Sequence, residues 1–338
     1  MTGHSHPAKV AVFSLGGTIA STKDPQSASG GVAPRLGAGE LVAAVPQLEH
    51  AAELEAIPFR QTASGDLGFD DISALAREIT LRFKAGTSGA VVTQGTDSIE
   101  ETSFALSLMV EGPRPVVVTG AMRNPTLAGA DGPANLLAAV QVASSPAAEG
   151  LGTVVVLNDE IHAARYVRKT HTSSPSTFHS PNGGPLGWVV EGRCRIALRP
   201  VQNLPTITPL TGEIPQVALV RTALGEDSRM VEQIAHLGFA GLVVEGFGGG
   251  HVPARMVPAL ETLAGQIPVV LTSRTGSGEA LKETYDFHGS ERDLLGRGLI
   301  HGGSLDGLKA RVLLTLLLAD GASTSDVTEV FRSAAELG

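Results

Sequence analysis

The sequence predicts an α/β protein of two domains, a larger N-terminal one with a mainly parallel sheet flanked by helices and a smaller C-terminal parallel α/β domain. Three observations carry this. Short apolar runs alternate with segments of helical periodicity, the pattern of a parallel sheet covered by helices. At 338 residues the chain exceeds what one core usually organises. The stretch from Pro200 through Pro215 holds four prolines and no periodicity, so 201–215 reads as a linker between domains at 1–200 and 216–338.

Taken in order, Val10–Ser14, Glu53–Ile57, Ala90–Thr93, Pro115–Thr119 and Thr153–Leu157 read as buried strands. Helices fall between them. Asp70–Phe83 places Ile72, Leu75, Ala76 and Ile79 on one face, with Asp70 as N-cap. Ser98–Val110 repeats Ile99, Thr102, Leu106 and Met109, and Gly132-Pro133 opens a third helix through Leu136, Leu137 and Val140. After the linker come strand Val217–Arg221, helix Met230–Ala235, strand Leu242–Val244, helix Val257–Leu263 and strand Val269–Thr272. Leu308–Leu318 is apolar nearly all round, which predicts burial against another element or another subunit.

Composition excludes several classes. A net charge of -9 leaves no electrostatic footprint for nucleic acid, and Arg165, Arg168 and Lys169 are too few to make one. The single cysteine, Cys194, rules out an internal disulfide framework. No apolar run approaches the roughly 20 residues of a membrane span, and Met1–Lys9 lacks a signal-like apolar core. The expectation is a soluble, cytoplasmic protein.

The chemistry-bearing residues follow two of the strands. Thr18, in Gly16-Gly17-Thr18-Ile19-Ala20, and Thr96, in Thr93-Gln94-Gly95-Thr96-Asp97-Ser98, lie just past apolar runs. Open parallel sheets bind ligands there, and neighbouring glycines let a substrate reach backbone N–H groups. Taken singly, Thr18 reads first as a turn residue, and Ser98 with Glu101 reads as a capping box. Lys169 alone reads as a solvated charge. Beside a buried hydroxyl it would instead be a proton acceptor.

Together, Phe13-Ser14-Leu15-Gly16-Gly17-Thr18-Ile19-Ala20, Val92–Thr102, Thr119–Arg123, Asp131–Leu136, Lys169-Thr170 and Lys309–Leu314 resemble the bacterial-type L-asparaginases. The resemblance runs from about Lys9 to Phe331. It implies hydrolysis of a side-chain amide to carboxylate and ammonia, with no metal or cofactor, in a homotetramer whose sites are completed across an intimate dimer. By motif position Thr18 corresponds to the nucleophile, and Thr96, Lys169 and Asp97 to the second catalytic group. Asp97 would also bind the substrate α-ammonium and Ser64 its α-carboxylate. Gly17, Gly65, Gly95 and Ala121 fall at substrate-binding positions, with the N–H groups of Thr96 and Ala121 as oxyanion donors.

Three departures from that pattern bear on substrate handling. The lid from Ser21 to Leu36 holds no tyrosine, Gly65 replaces a larger polar residue, and Gly249 stands where the neighbouring subunit usually offers an asparagine. The resemblance also implies that a neighbouring subunit sends an acidic residue toward the nucleophile from about Arg274–Tyr285, for which Glu279, Glu283 and Tyr285 are the candidates, and Tyr285 is the hypothesised replacement for the lid hydroxyl. An amidase of relaxed or different specificity, acting on glutamine, D-asparagine or larger amides, is the alternative. A non-catalytic amino-acid-binding homologue is another, disfavoured because binding alone needs no lysine beside a hydroxyl. His4 and His6 have no third ligand, and His162, His171 and His179 read as surface or hydrogen-bonding residues.

Overall fold

The computed structural model describes residues 7–23, 32–201 and 204–336. The chain divides into two compact units, Met1–Pro200 and Val201–Gly338. In the first, β1 (Lys9–Gly16) leads to the paired β2 (Ser21–Lys23) and β3 (Val32–Pro34), then α1 (Ala38–Ala43) and β4 (Glu53–Thr62). There follow α2 (Phe69–Lys84), β5 (Gly89–Thr93), α3 (Ile99–Met109), β6 (Val116–Thr119), α4 (Gly132–Ala143) and β7 (Thr153–Leu157). Next come β8 (Glu160–Ala163), the short pair β9 (Arg168–Lys169) and β10 (Phe178–His179), β11 (Gly187–Val190) and β12 (Arg193–Ile196).

Eight of these strands form one sheet in the order β12-β11-β8-β7-β6-β5-β1-β4. From β4 to β7 the pairing is parallel, and from β7 outward it is antiparallel. β5, β6 and β7 are buried throughout, as expected of valine-rich strands covered on both faces. Leu41, Leu136 and Val140 of α1 and α4 pack on Val10, Val91 and Val117. α3 lies over β6 and β7, the same two strands that α4 covers, from the other face. Both helices join consecutive strands in the same direction across the sheet, so one of the two crossovers departs from the usual right-handed rule.

Chain order reverses at β1, which lies between β4 and β5. A ligand crevice is therefore expected past the carboxyl ends of β1 and β5. β4 continues through Pro58 to Thr62, beyond the Ile57 limit read from sequence. It is an edge strand, where a missing N–H is tolerated. The expected cap Asp70 is inside α2, whose N-cap is Gly68. Asp71 accepts the Gly68 N–H at 3.2 Å.

The second unit comprises β13 (Val217–Arg221), α5 (Arg229–Ile234), β14 (Gly241–Gly246), α6 (Val257–Ala264) and β15 (Val269–Ser273). It ends with α7 (Glu291–Gly296), β16 (Ile300–His301), α8 (Gly307–Ala319) and α9 (Thr324–Glu336). Its four strands are parallel in the order β13-β14-β15-β16. Ile234, Val257, Leu260 and Leu294 cover one face with Leu242 and Leu271. α8 packs on β13, β14 and β15, burying Val312, Leu313, Leu316 and Leu317. Its apolar surface is thus used within its own unit and says nothing about a subunit contact. Cys194 is a free, partly buried thiol pushed above its usual pKa by burial.

Candidate active site

Two loops leave the switch-point strands and meet backbone to backbone. Gly17 has φ +80°, and a Cβ there would lie 2.0 Å from the Gly95 nitrogen. Gly16, with φ +102°, is similarly tight, its Cβ position lying 2.6 Å from the Thr62 carbonyl oxygen. Only glycine satisfies both the positive φ and the contact. Thr18 follows directly, opening a single 3-10 turn through Ala20. The Ser21 hydroxyl ties this turn down by donating to the Gly17 carbonyl at 2.9 Å.

Past β5, residues Thr96–Ser98 form another 3-10 turn leading into α3. From β9, Lys169 Nζ donates to Thr96 Oγ1 at 2.8 Å and to Asp97 Oδ1 at 2.6 Å. Thr96 is buried, the Lys169 side chain is 16% exposed and that of Asp97 is 78% exposed. The lysine is thus largely withdrawn from water while the carboxylate faces it. Asp97 retains a second oxygen for a ligand cation. A lysine amine bonded to a buried hydroxyl can move a proton to or from a reacting group beside that hydroxyl.

Sequence reasoning missed two supports of this arrangement. Glu100, buried in the first turn of α3, accepts the Lys169 backbone N–H at 2.7 Å and so fixes the lysine's strand to the helix. Ser98 makes no side-chain cap to α3, contrary to the capping-box expectation. Its hydroxyl donates instead to the Ser64 carbonyl at 2.8 Å, joining the loop after β4 to the loop after β5. The signal for Glu100 was an acidic residue on the inward side of an apolar helix turn.

Ser64 is buried, and its Oγ sits 2.6 Å from where a Gly95 Cβ would be. Gly65 faces open space, with no heavy atom within 4 Å of its Cβ position. Ala121, just past β6, is buried, and the loop around it is clamped by the start of α4. Asp131 accepts the N–H groups of Met122 at 3.0 Å and Arg123 at 2.8 Å. Asn135 donates to the Gly120 carbonyl at 3.0 Å.

The first unit therefore brings Gly17, Thr18, Ser64, Gly95, Thr96, Asp97, Ala121 and Lys169 to the carboxyl edge of one sheet. Gly249 and Tyr285 belong to the second unit. Tyr285 is 45% exposed, in edge contact with His251 at 5.0 Å between ring centroids. Glu291 fixes its backbone, accepting the Tyr285 N–H at 2.6 Å. The middle of the expected lid, 24–31, and the pair His4 and His6 lie outside the described residues. Among the described residues no group of three His, Cys, Asp or Glu side chains is placed to hold a metal. None of their helices is long and apolar enough to cross a membrane.

His162 lies in β8, and its hydrogen-bonding neighbour Ser180 follows β10, the partner of the lysine's strand. It is buried, not superficial, and its Nδ1 is 3.0 Å from Ser180 Oγ. Burial foremost, with His179 nearby, lowers its pKa to about 4.

Known proteins resemble this chain in sequence and in architecture. The family model described as "Asparaginase, N-terminal" matches residues 9–202, and "Glutaminase/Asparaginase C-terminal domain" matches 216–331. An L-asparaginase of Bacillus licheniformis is 36% identical over 313 residues, 92% of this chain and 95% of that protein. A probable periplasmic L-asparaginase of Haemophilus influenzae is 33% identical, over 96% of this chain and 92% of its own. Among solved structures, the probable cytoplasmic L-asparaginase from Campylobacter jejuni superposes with a TM-score of 0.86 at 30% identity, covering 96% of this chain and 99% of that one.

Proposed function

The chain belongs to the asparaginase family of amidohydrolases, and from that premise we propose that it hydrolyses the side-chain amide of L-asparagine to L-aspartate and ammonia, with Thr18 as nucleophile. The observation that carries this reading is the bonded set Thr96, Lys169 and Asp97 beside the loop of Thr18. A family fold without chemistry would not need a lysine withdrawn from water onto a buried hydroxyl.

In this reading Thr18 Oγ attacks the amide carbon while its proton is passed on. The oxyanion is met by the N–H groups of Thr96 and Ala121. Collapse expels the nitrogen as ammonia, protonated through the pair Thr96 and Lys169. Water then attacks the ester on Thr18, releasing aspartate and returning the proton to the threonine. Asp97 holds the α-ammonium through the oxygen not engaged by Lys169, and Ser64 holds the α-carboxylate. Gly17 and Gly95 keep the two loops close enough for both threonines to face one carbonyl.

The open space at Gly65 favours a second reading of specificity, in which glutamine, D-asparagine or a larger amide is also accepted. Likeness to the Campylobacter jejuni protein supports placing this one in the cytoplasm. We further assign it a homotetramer of intimate dimers, in which Tyr285 of a neighbouring subunit serves Thr18.

Ammonia release from L-asparagine, L-glutamine and D-asparagine tests the proposal on the parent, Thr18→Ala and Thr96→Ala. Each variant is expected to lose about 10³-fold or more in turnover with an unchanged melting temperature. Near-parental turnover in either overturns the two-threonine mechanism, and the parent's preferred amide decides between the two specificities.

A further inference from the structure

The buried side chain of Asn135 has no place in the mechanism above, yet its bonds converge on a peptide that does. Its Nδ2 donates to the Gly120 carbonyl at 3.0 Å and to Asp131 Oδ2 at 3.1 Å. Its Oδ1 accepts the Asn158 N–H at 3.0 Å. The carbonyl of Gly120 and the N–H of Ala121 belong to one peptide unit, which is planar and trans here. In such a unit the two groups point to opposite sides, so holding the oxygen sets the direction of the hydrogen. Gly120 is also pressed on the threonine loop, its Cβ position lying 2.7 Å from the Gln94 carbonyl oxygen and 3.1 Å from Thr96 Cγ2.

We propose that Asn135 is a positioning residue for amide hydrolysis, which aims the Ala121 N–H at the developing oxyanion by anchoring the carbonyl of the same peptide. The inference rests on the oxyanion role given to Ala121 above. Asp131 completes the clamp from the other side of the loop by binding the N–H groups of Met122 and Arg123. The Asn158 bond explains why asparagine is needed and not another donor. That residue has φ +52° in the turn between β7 and β8, and its N–H is the group that orients the Asn135 amide. Acceptor and donor of one side chain are each used, so the amide cannot flip without losing both.

Asn135→Asp tests this because it keeps size and the acceptor for Asn158 while replacing the donor to Gly120 with an oxygen. Oxyanion donors act chiefly in the transition state, so kcat is expected to fall about 10²-fold with KM within about threefold. Affinity for the sulfonamide analogue of asparagine, whose tetrahedral sulfur carries an oxygen at the oxyanion position, should fall in parallel. Binding of L-2-aminobutyrate, which keeps the α-ammonium and α-carboxylate and has no side-chain oxygen, should not. An unchanged kcat, a rise in KM alone, or equal losses for sulfonamide and aminobutyrate each overturn the inference. Should Asn135→Asp fail to fold, Asn135→Ala is read by the same ratio of sulfonamide to aminobutyrate affinity in its folded fraction. If Thr18→Ala abolishes turnover and the Asn135 variants do not change it, only the present inference falls, and the nucleophile assignment stands.

Discussion

Gly17 and Gly95 touch through their backbones across the mouth of the parallel sheet, at a separation that leaves 2.0 Å between the Gly95 nitrogen and any Cβ on Gly17. The contact fixes how far apart Thr18 and Thr96 are carried. Gly17→Ala adds a methyl against rigid backbone at a residue with φ +80°, so the loops must part. A loss of activity of at least 10²-fold is expected, with a melting temperature lower by several degrees. Gly95→Ala meets Ser64 instead: its Oγ, 2.6 Å away, can turn aside, and its Cβ, 2.9 Å away, must give with its backbone, a smaller demand than the 2.0 Å contact at Gly17. It should raise KM through the α-carboxylate contact and leave the melting temperature closer to the parent's. Steady-state kinetics and calorimetry on the pair check this, and a reversed ranking would show that the contact does not set the loop spacing.

Lys169 reaches Thr96 and Asp97 at once, and the two contacts predict separable losses. Lys169→Met removes the relay and leaves Asp97 exposed and solvated, so kcat should fall about 10³-fold, the upper range of acid–base contributions. Asp97→Asn keeps a hydrogen-bond acceptor for Lys169 but loses the charge for the α-ammonium, so KM should rise more than kcat falls. Equal effects of the two substitutions on kcat and KM would contradict the division of roles.

Tyr285 is anchored within the second unit, and the proposed function gives its hydroxyl a part at Thr18 of a neighbouring subunit. Its ring is held edge-on by His251 and its backbone by Glu291, yet nearly half of it is exposed. Tyr285→Phe preserves those ring contacts and removes only the hydroxyl. If that hydroxyl replaces the one absent from the lid, turnover falls about 10²-fold while sedimentation still gives the parental oligomer. Parental turnover in Tyr285→Phe, or an active monomer in the parent, would defeat the shared-site assignment.

The elements that sequence made legible are those with long apolar periods. β7 lies where its valine-rich run ends, because a strand covered on both faces needs uninterrupted apolar residues. The antiparallel extension of β8, β11 and β12 and the separate pair β9 and β10 are not legible, since these strands are two to four residues long, too short for alternation to register. α9 is amphipathic and lies beyond the nearly uniform apolar run that marks α8. In the site, glycine and threonine at strand ends were legible as local motifs. Glu100 and Asn135 were not, because each acts on backbone 69 or 15 residues away, a pairing that only tertiary structure creates.

His162 gives the fold a pH dependence whose sign is fixed by burial. Its ring is kept neutral in the folded protein, with a pKa lowered from 6.5 to about 4. Glu160 lies 3.2 Å from Nε2 and would favour the charged ring, but no hydrogen bond forms there and desolvation prevails. Between those two values the unfolded chain binds a proton that the folded chain does not, so stability is fully present above pH 6.5 and is lost as pH falls toward 4. At pH 5 the loss from this residue is about 2 kcal/mol. Urea unfolding at pH 7 and pH 5 should show that difference in the parent. His162→Gln, which still offers Ser180 a hydrogen-bonding partner but does not titrate, should remove most of it. An identical pH dependence in parent and variant would place the acid sensitivity elsewhere in the chain.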